Sequence, residues 1–233
     1  MAIRHKVTKS TLDRGYASEW NDDHEENYYV RYSHQVDVLM PAIADHWDTV
    51  QDTSGTATTI SLIGGHLAVR MRASGGAGNI STIRHSLLGA AANITDENAQ
   101  PIVEICLDVQ TPTADASTHE FGLFANATLP FTANQDGCYF RISNNVLYAV
   151  SGTGAAETTT NLGAPNQYGV YKVKHTATHD YFYVDDMETA VATHTTNICT
   201  NDLTVKISCA ERAAGENFLN WQAVYISFLR QTS

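Results

Sequence analysis

Hydrolysis of a glycosidic bond needs two carboxyl groups facing one cleft, roughly 5 to 9 Å apart. The best acidic pair on any single predicted strand is Glu104 and Asp108, within Ile102 to Val109. Four residues apart at about 3.3 Å of rise, they stand about 13 Å from each other, which predicts solvated carboxylates on an outer face. Glu120, on another strand, would reopen the enzymatic reading only by lying within about 9 Å of one of them. Acyl-transfer chemistry has no better footing, because no Gly-x-Ser-x-Gly elbow occurs and the serines fall in loops or on polar strand faces.

Four groups of side chains could ligate a metal. His175 and His179 straddle a predicted turn, Thr176-Ala177-Thr178, and could meet His194 across a sheet. No carboxylate or cysteine in sequence completes that set, so surface histidines on neighbouring strands are expected. Asp22, Asp23, Glu25 and Glu26 lack the spacing and the glycine of an EF-hand loop, and Asp185-Asp186 reads as a turn. Cys106, Cys138, Cys199 and Cys209 form no Cys-x-x-Cys pair, so thiols are expected; Cys106 and Cys209 sit on the apolar phase of their strands. Ser74 to Asn79 is glycine-rich but lacks the Lys-Ser/Thr that follows a phosphate-binding loop. No catalytic residue, cofactor or metal is expected.

The elements that would carry these groups are strands. Leu67, Val69 and Met71 alternate with Arg70 and Arg72; Val103, Ile105, Leu107 and Val109 alternate with Glu104 and Asp108; Leu203, Val205, Ile207 and Cys209 alternate with Thr204, Lys206 and Ser208. One buried and one wet face is the pattern of antiparallel sheets. Asn144-Asn145 predicts a two-residue turn between Cys138–Ile142 and Val146–Val150, since asparagine tolerates positive φ. Tyr181–Val184 leads to a second turn at Asp185-Asp186, with a return over Thr189–Thr193. The Thr-rich stretch from Ser151 to Thr160 reads as a loop. The last strand, Trp221 to Leu229, is apolar on both phases and so is expected to be covered on both sides.

Composition sets the outer bounds. The chain has 233 residues, 17% of them charged, and a net charge of -11, which argues against nucleic acid as the main partner. No apolar run approaches the roughly 18 residues of a membrane span, and the basic start Met1 to Ser10 has no apolar core behind it. About a dozen strands at sandwich spacing are expected in one domain.

The segments Asp136–Ile142, Tyr148-Ala149-Val150, Tyr168–Val173, Tyr181–Asp185 and Val224-Tyr225-Ile226 together resemble the concanavalin A-like (laminin-G-like) jelly roll over about residues 50 to 230. That family often ends a strand in Phe-Tyr-Val-Asp-Gly, where this chain has Tyr183-Val184-Asp185-Asp186. The resemblance implies an all-β antiparallel jelly-roll sandwich, a fold that hosts lectins, glycosidases and structural modules. Its glucanases place their acids in a Glu-x-Asp-x-x-Glu pattern on one strand, which is absent here. Aromatic platforms for a glycan would be Tyr139, Tyr148, Tyr168 and Trp221.

Residues 1–46 differ in texture and are expected to form an extended N-terminal arm, with 47–233 as the sandwich. Val36, Leu39, Met40, Ile43 and Trp47 have a roughly helical spacing broken by Pro41, predicting a short helix or turn. His5-Lys6-Val7-Thr8 followed by Ala17-Ser18-Glu19-Trp20-Asn21-Asp22-Asp23-His24 resembles a segment near the start of many tailed-phage structural proteins. Tyr16, Trp20, Tyr28, Tyr29 and Tyr32 would be its docking anchors. The expected function is therefore a non-enzymatic virion structural protein (capsid decoration, head fibre or tail component). It would be a homo-oligomer, a trimer by preference, in contact with other virion proteins and with no membrane or nucleic acid. The alternative is a carbohydrate- or receptor-binding module, including one that takes a host glycan.

Overall fold

The computed structural model describes fifteen strands. They are β1 (Tyr29–Asp37), β2 (Trp47–Asp52), β3 (Thr59–Ile63), β4 (His66–Ala73), β5 (Ile80–His85), β6 (Ile102–Asp108), β7 (Ser117–Ala125), β8 (Gly137–Ser143), β9 (Val146–Gly152), β10 (Glu157–Gly163), β11 (Tyr168–His175), β12 (Asp180–Val184), β13 (Ala192–His194), β14 (Leu203–Glu211) and β15 (Asn217–Gln231). Side chains are described for residues 79–84, 118–125, 131, 133–166, 169–186, 188–201 and 203–210. Outside the strands, the backbone is described at Asn79, 131, 133–136, 144–145, 153–156, 164–166, 176–179, 185–186, 188–191, 195–201.

Two antiparallel sheets face each other. One runs β13-β12-β11-β6-β15-β4-β3, with β1 also on β15; the other runs β10-β9-β8-β7-β14-β5-β2. The alternation read from sequence sets their facing sides. Phe121 and Leu123 of β7, Cys138, Phe140 and Ile142 of β8, and Leu203, Val205, Ile207 and Cys209 of β14 point inward. Tyr171, Val173 and Phe182 meet them from the other sheet, with Phe140 edge-on to Phe182 at 5.5 Å and to Tyr171 at 5.3 Å. Such buried aromatics supply much of the apolar contact that holds sheets together.

The β8–β9 hairpin turns on Asn144 and Asn145, at φ 50° and 58°, the two positive values that a turn matching strand twist requires. Residues 157–160, expected in a loop, instead begin β10, which pairs with β9 from Glu157↔Gly152 to Asn161↔Tyr148. Threonine's β-branched side chain suits an edge strand, and its hydroxyls point to a loop only by composition. Val36 and Trp47 lie in β1 and β2, so the helical spacing across them does not make one helix; residues 38–46 lie outside the described residues.

Part of the expected arm belongs to the sheet. β1 pairs with the second half of β15, Tyr29↔Gln231 through Asp37↔Ala223, while β4 pairs with the first half. The doubly apolar last strand is thus flanked by β6 on one edge and by β4 and β1 in succession on the other. Tyr29 and Tyr32 sit in β1; Tyr16, Trp20 and Tyr28 lie outside the described residues.

Candidate functional site: a polar row across the seven-stranded sheet

Register places Thr82, Ser208, Glu120, Arg141, Tyr148 and Asn161 in one line across β5, β14, β7, β8, β9 and β10, on the face turned away from the core. An outer sheet face carrying this much charge and hydroxyl is where chemistry on a polar ligand would be placed. Burial falls along the row. Thr82, Ser208 and Glu120 are buried, Arg141 and Tyr148 are half-buried, and Asn161 is exposed.

Arg141 is the hub. Its Nε donates to Glu120 Oε1 at 2.6 Å, and its Nη1 and Nη2 donate to the two oxygens of Glu157 at 3.1 Å each. Nη2 also donates to the Tyr139 hydroxyl at 2.8 Å, which in turn donates to Glu157 Oε1 at 2.9 Å. Glu120 Oε2 accepts from Gln135 Nε2 at 2.7 Å and from the Phe131 N–H at 2.9 Å. One guanidinium thus holds two carboxylates together on the outer face of the sheet.

The electrostatics follow from that geometry. Burial works to raise the Glu157 carboxyl, but the hydrogen bonds and charge of Arg141, the Tyr139 hydroxyl and the Gln135 N–H outweigh it and hold the group below its usual range. Burial disfavours the Arg141 cation, yet its two carboxylate partners raise its proton affinity further. Burial, then the Glu120 charge, push the Tyr139 phenol upward. Beside the row, burial and the nearby Arg84 charge lower Lys206 to about 8, and its Nζ donates to the Ala125 carbonyl at 2.8 Å. Among the described residues the buried hydroxyls of Thr82, Thr118, Thr204 and Ser208 have no hydrogen-bond partner.

The structure redistributes the residues singled out from sequence. Glu104 and Asp108 are on β6 of the other sheet, as register partners of Lys172 and Tyr168, so Glu120 does not join them on one sheet. Tyr139 is no open platform for a sugar. It is 0% exposed, stacked on Phe124 at 4.5 Å and tied to Glu157 and Arg141. Tyr148 remains half-buried on the outer face, packed against Phe124, Tyr139 and Val150. The side chains of Tyr168 and Trp221 lie outside the described residues. Asp185 and Asp186 serve turns: Asp185 accepts from the Val170 N–H at 3.0 Å, and Asp186 accepts from the Glu188 N–H at 2.8 Å and the Thr189 N–H at 3.3 Å. His179 stacks on Tyr181, while His175 and His194 turn inward and are buried. Sequence reasoning missed Arg141 and Glu157. The signal was an arginine on the outer phase of an otherwise apolar strand, which demands an acid on its neighbours.

No protein-family model matches the chain, and no curated protein matches it. Solved structures do. A beta-glucanase from Bacillus licheniformis is 11% identical with a TM-score of 0.56, over 83% of this chain and 97% of that one. A native glycosidic hydrolase is 10% identical with a TM-score of 0.59, over 86% and 96%. Arcelin-5, a lectin-like defense protein from Phaseolus vulgaris, is 11% identical with a TM-score of 0.58, over 87% and 99%. These likenesses correct two expectations. A virion structural role loses its footing, because the similar structures are glucanases and a lectin-like protein and nothing among them points to a virus. The exclusion of an enzyme falls too, because glycoside hydrolases recur among them. Among the described residues the protein is all-β, and its fold is the concanavalin A-like jelly roll.

Proposed function

We propose that the protein binds carbohydrate on the outer face of its seven-stranded sheet, along the row from Arg141 through Tyr148 to Asn161. The observation that carries this reading is the row itself. A guanidinium fork, an aromatic ring and an amide stand side by side as register partners, becoming more exposed toward the sheet edge. Sugars present alternating hydroxyl donors and acceptors with apolar C–H faces. The exposed Asn161 amide and the half-buried Glu157 carboxylate that Arg141 orients match the first, and a tyrosine ring the second. The likeness to a lectin-like protein and to glucanases supports the same ligand class.

A glycoside hydrolase is the second reading, favoured by Glu120 and Glu157 lying together on Arg141. The low proton affinity of Glu157 suits a carboxylate that stays charged and does not suit a general acid. One experiment separates the two. The full chain is titrated with soluble β-glucans and a panel of immobilised glycans, while released reducing ends are assayed. Saturable binding that Tyr148→Ala and Asn161→Ala weaken at least tenfold, with no reducing ends, supports a binding module. Reducing-end release abolished by Glu157→Gln supports the hydrolase. Neither binding nor release on any glycan defeats both.

A further inference from the structure

At the other side of the same strands a second polar cluster is sealed inside the core. His175, Asp180 and His194 are consecutive register partners on β11, β12 and β13, and all three are buried. Cys138 and Ser151, themselves register partners on β8 and β9, are buried in the other sheet. Ser151 Oγ lies 2.9 Å from His194 Nδ1, so the two rows meet across the core. A strand pattern of small apolar residues would have filled this space at no desolvation cost, and a cluster of a thiol, an imidazole and a carboxylate requires a reason.

His194 is already satisfied, because Thr160 Oγ1 lies 2.9 Å from its Nε2 while Ser151 holds Nδ1. The rest of the cluster is not. His175 Nδ1 and Asp180 Oδ1 are 2.6 Å apart, within hydrogen-bond distance, but Asp180 Oδ2 is buried with no N–H or O–H partner among the described residues. Cys138 is a free thiol beside that carboxylate. One ligand atom each from Cys138, His175 and Asp180 lies within 4.8 Å of the other two.

We propose that Cys138, His175 and Asp180 form a structural site for a divalent d-block cation of the zinc class. Tetrahedral zinc, with bonds of about 2.0 to 2.3 Å, sets its ligand atoms roughly 3.3 to 3.8 Å apart, so closure by about an ångström completes the site. The mixed sulfur, nitrogen and oxygen set suits zinc and cobalt and does not suit calcium or magnesium, which take oxygen alone. Charge supports the same answer. A thiolate, a carboxylate and a neutral imidazole cancel the two positive charges of the ion, so the loaded site brings no net charge into the core.

Cobalt is the probe, because a cobalt–thiolate bond gives a near-ultraviolet charge-transfer band. The full chain, unfolded and refolded with cobalt(II), is expected to take up one ion per chain and show that band. Cys209→Ala, which removes a core thiol outside the cluster, should leave the band unchanged. Cys138→Ala should abolish it, and Asp180→Asn should weaken uptake at least tenfold. X-ray absorption on the wild-type zinc form should show sulfur together with nitrogen or oxygen neighbours, which keeps the test open even if a variant fails to fold. No uptake by the wild type, a band that persists in Cys138→Ala, or a shell without sulfur would overturn the proposal.

Discussion

Gly122 and Tyr139 are register partners on β7 and β8, and a Cβ added to Gly122 would sit 2.7 Å from the Tyr139 Cα. At φ +147° the glycine also holds a backbone conformation that side-chain-bearing residues rarely adopt. Its missing side chain is what allows Tyr139 to lie flat against Phe124 and reach Glu157.

Gly122→Ala should therefore destabilise the fold by about 2 to 4 kcal/mol, from overpacking against backbone together with strain at φ. Urea denaturation followed by fluorescence measures it. A loss under about 0.5 kcal/mol would show that β7 and β8 separate freely at this point.

Arg141 and its two acids should respond unequally. The Glu120 side chain is 1% exposed, against 15% for Glu157. Removing the cation strands a buried carboxylate, so Arg141→Met should cost about 3 to 5 kcal/mol. Glu157→Gln keeps the shape and most hydrogen bonds and should cost under about 1 kcal/mol. Adding Glu120→Gln to Arg141→Met should restore part of the loss. If the double variant is no more stable than the single one, the stranded Glu120 charge is not what destabilises Arg141→Met.

The strand pattern was legible because inward positions of β7, β8 and β14 recur every second residue with apolar types, and one face had to be buried. The turn at Asn144-Asn145 was legible for a local reason, positive φ at both residues. The polar row was not. Glu120, Arg141 and Tyr148 are far apart in sequence, and only the pairing of β7 with β8 and β8 with β9 lines them up. Tyr139 misled for the same reason: an aromatic on the outer phase reads as exposed, yet here it is 0% exposed. The core cluster defeats sequence spacing further, since Cys138 belongs to one sheet and His175 and Asp180 to the other.

The β8–β9 turn offers a clean backbone test. Asn145 holds φ 58° and both turn residues are exposed. Asn145→Gly should stabilise by up to about 1 kcal/mol, since glycine enters this region without strain, and Asn145→Val should destabilise by about 1 to 2 kcal/mol. Thermal melting reads both. Equal melting temperatures for the two variants would mean the hairpin does not need this turn.

His119 makes stability depend on pH. It points into the core from β7, opposite Cys209 of β14 and Ile142 of β8, and neither ring nitrogen has a hydrogen-bond partner among the described residues. Burial alone lowers its pKa from 6.5 to about 4. A base depressed in the folded state takes its proton more readily when unfolded. Its contribution is complete above about pH 6.5 and is lost as pH falls toward 4. The full shift corresponds to about 3 kcal/mol. Glu157, held below its ordinary 4.5, acts in the same direction but at lower pH, while His194, also lowered by burial, acts within the same window, so the difference between the wild type and a His119 variant is what isolates this ring. Leucine at this position removes the titrating ring and two unpartnered nitrogens together. His119→Leu should match or exceed the wild type at pH 7 and lose markedly less stability between pH 6.5 and 4.5, measured by urea denaturation at fixed ionic strength. Parallel pH profiles for the two proteins would show that the imidazole reaches solvent and is not part of the sealed core.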